Sequence, residues 1–217
     1  MSIDAERGLP AYLDAVAAGT PAPGGGSVAA VVGALAAALG EMVANLTLGR
    51  EKYAGAEASL RPARQRLSAR RAALLDAAAA DESAYQSYRA ASSLPRGSDE
   101  EKTARADAMH RALIEATDVP LGVAQAAREV AEILETVARQ GNPHVRTDAA
   151  LGAILAEAAL RGALLNVRGN AALLHGRDRE RAAAYLADAD HIEEMGREAA
   201  ERAYRMATDG GAESGFR

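Results

Sequence analysis

Three groups of residues in this chain have types and spacings that could do chemistry. The first is Thr20-Pro21-Ala22-Pro23-Gly24-Gly25-Gly26-Ser27. Each proline fixes its own φ and pushes the residue before it out of the α region. The three glycines then free the backbone. Behind Ser27, Val28 to Gly40 runs without a charge. The pattern predicts a flexible loop feeding the N-terminus of a buried helix. Such a terminus offers unpaired N–H groups and a partial positive charge, which suit an anion or an oxygen-rich ligand. It is not a phosphate-binding P-loop, because no Gly-Lys-Ser/Thr follows at the required spacing. It is not a dinucleotide fingerprint, because no strand pattern precedes it. The plainer use of the same glycines is close approach of two helices.

The second group is a set of carboxylates sharing helix faces with amides or a phenol. Glu41 and Asn45 are four residues apart, as are Asp81 and Tyr85, so each pair shares a face. Glu41 sits in an apolar helix, where a carboxylate is costly unless paired or functional. Pairing with a basic residue across a helix interface serves as well as chemistry there. Asp81 lies in a charged helix, which by itself predicts a solvated carboxylate. The third group is Asp148 with Asn166 and Asn170. Asp148 and Asn166 are five helical turns apart, so they point the same way yet lie about 27 Å apart along the axis. They cannot touch one small reacting group within one subunit. They would serve opposite ends of a long ligand or different sites in an oligomer. Asn142-Pro143 and Thr147-Asp148 also suit a helix cap.

The elements that must position these groups are helices. Pro10 to Ala18 reads as a short helix closed by Gly19, and Ser27 to Leu48 as the buried one, ended by Gly49. About 55 to 91 is long and charged, with Pro62 in its first turns. Pro95 and Gly97 break the chain. Ser98 and Glu101 form a capping box for a helix to about Thr117. Pro120 starts another, to near Gly141. Thr147 to Leu174 is rich in Ala, Leu and Gly, and Asp178 caps a last helix. There Ala182, Tyr185, Leu186, Ala189, Ile192, Gly196, Ala199, Ala203 and Met206 recur at three- and four-residue steps, an amphipathic period. The expected fold is all-α, a single-domain bundle of long antiparallel helices over residues 1–208, with a mobile tail at 209–217.

Composition bounds the function. The 217 residues suffice for one domain with a substantial core. Hydrophobic residues make up 49%, aromatics only 3%, so alanine must build that core. A net charge of −5 gives nucleic-acid binding little support. Arg61, Arg64, Arg66, Arg70 and Arg71 read as a solvated helix face. There is no cysteine, hence no disulfide or thiolate metal site. His110, His144, His175 and His191 show no metal-ligand spacing, so no metal is assigned. His144 is the one placed to carry a proton. Asp4, Glu6 and Arg7 stand where a signal peptide needs an apolar core. Val28 to Gly40 is 13 residues, short of the roughly 20 that cross a bilayer. A cytoplasmic protein without membrane or nucleic-acid partners is expected.

The block Pro21 to Ala30, continued by Gly33 to Thr47 and by Gly49-Arg-Glu-Lys-Tyr53, resembles the opening of the formiminotransferase-cyclodeaminase C-terminal family. Asp81-Glu-Ser-Ala-Tyr85, Val119-Pro120, Gly141-Asn-Pro143, Thr147-Asp148 and Arg161 to Asn170 continue the resemblance in order. The resemblance implies an enzyme of tetrahydrofolate one-carbon chemistry, working as a homodimer without metal or a cofactor beyond its tetrahydrofolate substrate. It implies Asp81 and Asp148 as candidate catalytic carboxylates. Pro23, Gly24, Gly25, Gly26, Ser27, Glu41, Lys52, Tyr85, Asn142, Asn166 and Asn170 become candidates for binding substrate. Arg50 and Lys52 could meet folate carboxylates or serve as surface charge. Two reactions fit: hydrolysis of 5,10-methenyltetrahydrofolate to 10-formyltetrahydrofolate, or loss of ammonia from 5-formiminotetrahydrofolate. No formiminotransferase domain is attached, which tilts the expectation to the first. A non-catalytic helical interaction protein is the reading from another class. The intact Pro-Gly-Gly-Gly-Ser segment argues against it.

Overall fold

Six helices carry nearly all of the chain that the computed structural model describes, residues 8–209, and no strand occurs among them. They are α1 (Gly8–Ala17), α2 (Gly25–Asn45), α3 (Glu57–Ser92), α4 (Asp99–Gln140), α5 (Arg146–Leu174) and α6 (Arg179–Asp209). Short 3-10 turns, Glu51–Ala56 and Pro143–Val145, precede α3 and α5. The fold is the expected all-α bundle.

Short connections make sequence neighbours antiparallel. Cross-helix pairs set the register: Gly33 meets Leu74 and Ala159, while Gly152 meets Leu134. Arg70 reaches Glu129 and Arg105 reaches Ser92. α2, α3, α4 and α5 thus run alternately up and down. α6 runs parallel to α4, as the pairs Asp118–Tyr185 and Glu135–Arg202 show.

Alanine fills the interior. Ala30, Ala36, Ala37, Ala124, Ala127, Ala153, Ala156 and Ala163 are wholly inaccessible, and Leu60, Leu67, Leu74, Leu134, Leu160 and Leu164 interleave with them. Small faces let helix axes approach, and the leucines then lie against glycines. A β-carbon on Gly40 would meet Leu67 at 2.8 Å, and one on Gly196 would meet Leu160 at 2.1 Å.

Four details differ from the sequence reading. α2 begins at Gly25, so two of the three glycines form its first turn rather than a loop. α4 is one helix of 42 residues and passes straight through Pro120. Tertiary packing on α3, α5 and α6 overrides the break a proline would otherwise impose. α5 starts at Arg146, which puts Asp148 inside its first turn with no capping bond from that side chain. α2 and α5 are each long and apolar enough to cross a membrane, whereas the apolar run alone was too short. In this fold both are core helices flanked by others.

The capping box at Ser98 and Glu101 is present, and Asp178 accepts from the Arg181 N–H as the cap of α6. α6 runs through Asp209; 210–217 of the expected tail, like Asp4, Glu6 and Arg7, lie outside the described residues.

Candidate active site

α2 is shorter than its neighbours at one end. It begins at Gly25, opposite Asp81 of α3 and Asn166 of α5, whereas α3 continues to Ser92 and α5 to Leu174. Removing one helix from a packed layer leaves a space. Here it is a cleft of about 330 Å³, with Gly24, Gly25 and Gly26 as its floor. Asp81, Tyr85 and Tyr88 of α3 line one wall, Leu113 and Ala116 of α4 a second, and Asn166, Asn170 and Leu173 of α5 a third. The α2 N-terminus opens into it, with the partial positive charge of a helix start.

Among the described residues Asp81 is the only carboxylate lining this cleft. Its Oδ2 accepts the Ser27 N–H at 3.0 Å. Gly26 makes the approach possible, since a β-carbon there would sit 2.2 Å from Asp81 Oδ1. Burial raises the Asp81 carboxyl above the usual carboxylate range, and the Ser27 N–H opposes that only in part. A carboxylate whose pKa moves toward neutrality is a better proton acceptor at working pH.

Ser27 is wholly buried. Its hydroxyl pairs with the Tyr12 hydroxyl at 3.0 Å, so α1 braces the turn that holds Asp81. Burial is also the main cause that raises the Tyr12 phenol. The glycines serve differently from their sequence reading. Among the described residues only Gly8 and Gly49 have positive φ. Gly26 is therefore required for space and Gly24 is tight against the Pro21 carbonyl, whereas Gly25 faces open cleft; none of the three needs a left-handed backbone.

Asn170 lines the cleft, and its amide has a fixed task. Its Nδ2 donates to the Ala116 carbonyl at 2.7 Å. Ala116 is the residue four before Pro120, whose missing N–H would have filled that carbonyl. Asn166 donates to the Gly162 carbonyl of its own helix at 3.2 Å.

The other sequence candidates lie elsewhere. Glu41 pairs with Arg71 at 2.6 Å in a surface hollow between α2 and α3. That is the pairing across a helix interface that sequence left open. Asn142 is buried and accepts from the Tyr53 hydroxyl and the His144 N–H, and its own N–H donates to the Thr47 hydroxyl. It is a strut between the ends of α2 and α4. Lys52, beside the Tyr53 ring, belongs to the same end, with His144 and Asp148. The unbroken α5 keeps Asp148 about 27 Å from Asn166. Asp148, Asn142, Lys52 and Glu41 are thus outside the cleft that holds Asp81 in the same subunit. Pro23 is buried, and neither it nor Ser27 lines the cleft, Ser27 acting there through its bond to Asp81.

Sequence reasoning passed over Tyr88, Leu173 and Tyr12. Tyr88 follows Tyr85 by three residues, and Leu173 follows Asn170 by three. Extending each four-residue pair by one helical step finds both. Nothing local marks Tyr12. Among the described residues no group of three His, Asp or Glu side chains is placed to hold a metal ion.

Residues 8–191 match the family described as formiminotransferase-cyclodeaminase. The chain is similar to the methenyltetrahydrofolate cyclohydrolase of Methylorubrum extorquens, 44% identical over 160 residues, which cover 74% of this chain and 77% of that protein. It is also similar to the formimidoyltransferase-cyclodeaminase of Gallus gallus, 35% identical over 162 residues; the match takes in 75% of this chain and 30% of that longer protein. Among solved structures, the formiminotetrahydrofolate cyclodeaminase of Thermotoga maritima has the same fold. Its TM-score is 0.83 at 30% identity, over 96% of this chain and 100% of that one.

Proposed function

The chain belongs to the formiminotransferase-cyclodeaminase family, and on that premise we propose that it hydrolyses 5,10-methenyltetrahydrofolate to 10-formyltetrahydrofolate. The observation that carries this reading is Asp81, a half-buried carboxylate of raised pKa fixed at the floor of a cleft. The methenyl bridge is an amidinium cation, and a fixed anion beside it stabilises the charge. Asp81 accepts a proton from water as the water oxygen bonds to the methenyl carbon. It then returns a proton to N5 as the bond from that carbon to N5 breaks. The carbon stays on N10 as a formyl group, and the hydroxyl proton leaves to solvent. No electrons are transferred, so no cofactor beyond the folate is invoked. Gly25 and Gly26 admit the substrate to the α2 terminus, Tyr85 and Tyr88 flank its rings, and Asn166 and Asn170 shape the opposite wall.

The second reading is formiminotetrahydrofolate cyclodeaminase, favoured by the likeness along the full length of the Thermotoga maritima structure. There N10 attacks the formimino carbon and gives up its proton to solvent, and Asp81 in its acid form protonates the amino group on that carbon, which departs as ammonia. Incubation with each folate separates the two. Loss of near-ultraviolet absorbance on 5,10-methenyltetrahydrofolate supports hydrolysis; ammonia release from 5-formiminotetrahydrofolate supports the second reaction.

A cytoplasmic homodimer goes with this reading. On the outer sides of adjacent α2 and α5, Leu35, Met42, Leu151, Ile154 and Leu165 are exposed, Leu165 by 71%. Stripes of this kind on neighbouring helices suit a second copy of the chain. Ion pairs such as Arg70–Glu129 and Arg202–Glu135 on the remaining faces support a surface in water. The net charge of −5 is unfavourable to nucleic acid.

A further inference from the structure

Past Tyr88 and Leu173 the cleft does not end. A second hollow of about 260 Å³ shares Tyr88, Leu113 and Leu173 with it and runs on toward the end of the bundle. Its near part is apolar, with Met109 and Leu174. Its far part carries Arg105 and Arg177, with His110 beside Met109. Three elements set this order. Along α3, Asp81 to Tyr88 is about 10 Å; along α5, Asn166 to Leu173 is the same. The two arginines follow one to two turns further, on α4 and on the turn after α5.

Resting on the folate reading above, we propose that this hollow is the glutamyl subsite. Arg105 and Arg177 bind the carboxylates of the substrate's glutamate, and the apolar waist holds the benzoyl ring. A tetrahydrofolate has the same sequence of groups: a reduced pterin bearing the one-carbon unit, a flat ring, then a dicarboxylate. The guanidinium fork matches a carboxylate in two parallel hydrogen bonds. Arg105 is already oriented, because its Nε donates to the Ser92 carbonyl at 2.9 Å. Among the described residues that bond leaves both terminal amino groups for a ligand. Arg177 is steadied by Asp107, and Asp178 lies 3.5 Å from His110. These two carboxylates limit the net charge, so the fork of Arg105 is the principal contact.

The test is equilibrium binding of tetrahydrofolate and of tetrahydropteroate, which lacks the glutamate. Neither carries the one-carbon unit, so turnover consumes neither. The wild-type protein is expected to bind tetrahydrofolate about tenfold more tightly. In Arg105→Gln and in Arg177→Gln that ratio is expected to shrink, and in the double variant to approach one. Arg105→Lys should restore part of it. A wild-type ratio near one overturns the proposal, as does a ratio unchanged in every variant. Should one variant fail to fold, the other single variant still reads the ratio. A glutamate-dependent ratio in a protein that turns over neither 5,10-methenyltetrahydrofolate nor 5-formiminotetrahydrofolate removes the reaction reading and keeps the subsite. Failure to bind both ligands removes both.

Discussion

A β-carbon on Gly26 would lie 2.2 Å from Oδ1 of Asp81, so the carboxylate occupies the space that any other residue at 26 would need. Gly26→Ala is therefore expected to displace Asp81 and break its bond from the Ser27 N–H. Turnover should fall about a hundredfold, the lower range for losing a positioned acid–base group. Steady-state kinetics on 5,10-methenyltetrahydrofolate check this, with circular dichroism confirming an intact bundle. Unchanged kcat in a folded variant would show that the carboxylate need not sit there.

Gly25 is the contrasting case. A β-carbon there meets only Asn166 Nδ2, at 4.0 Å. Gly25→Val should fold, yet its side chain takes up cleft volume. The expected result is at least about tenfold weaker folate binding with helicity retained. Binding titration measures it, and wild-type affinity would remove Gly25 from the floor of the site.

Asp81→Asn keeps size and loses both charge and basicity, so at least about a hundredfold loss of turnover is expected. Asp148→Asn, at the far end of α5, is the matched control and should retain activity. A reversed pattern would make Asp148 the catalytic carboxylate. Stability should move the other way. The folded-state pKa of Asp81 is raised, so its favourable contribution is present below the ordinary carboxylate pKa and is lost as pH rises through the raised value. Asp81→Asn should therefore melt at higher temperature than wild type at pH 7, with the difference vanishing below about pH 4. Thermal scans across that range decide it.

The Ala116 carbonyl, Pro120 and Asn170 form a couple that a double-mutant cycle can isolate. Asn170→Ala leaves a helix carbonyl unpaired, at a cost of about 1–3 kcal/mol. Pro120→Ala restores a backbone donor for the same carbonyl. In that background Asn170→Ala should cost little. Denaturant unfolding of the four proteins gives the coupling energy. Equal costs in both backgrounds would show that Asn170 acts by packing alone.

Leu35→Glu with Ile154→Glu places two charges on the exposed apolar stripes of α2 and α5. The double variant should scatter light as a monomer at micromolar concentration where wild type scatters as a dimer. A wild-type monomer, or a variant dimer, would remove this face from the interface.

Periodicity made the helices legible, and spacing made half of the cleft legible. Asp81 with Tyr85, and Asn166 with Asn170, each share a face by helical geometry alone, and opposed helices bring the two pairs together. What was not legible depended on partners distant in sequence. Pro120 breaks an isolated helix; only Asn170, fifty residues later, supplies the missing bond. The purpose of Gly26 is invisible without Asp81 beside it. Tyr12 matters through Ser27, and nothing in its own neighbourhood says so. Glu41 looked as much like chemistry as Asp81 until Arg71 was found next to it.

The floor of the cleft is a helix terminus, which makes it a ruler. Its three walls belong to α3, α4 and α5, and none of them changes if α2 grows or shrinks at its first turn. Each residue moved between the Thr20–Gly24 segment and the helix shifts the floor by about 1.5 Å. Relatives of this fold, natural or designed, can thus be graded for bulkier or slimmer one-carbon substituents by the length of a single linker, with the alanine-built core left untouched.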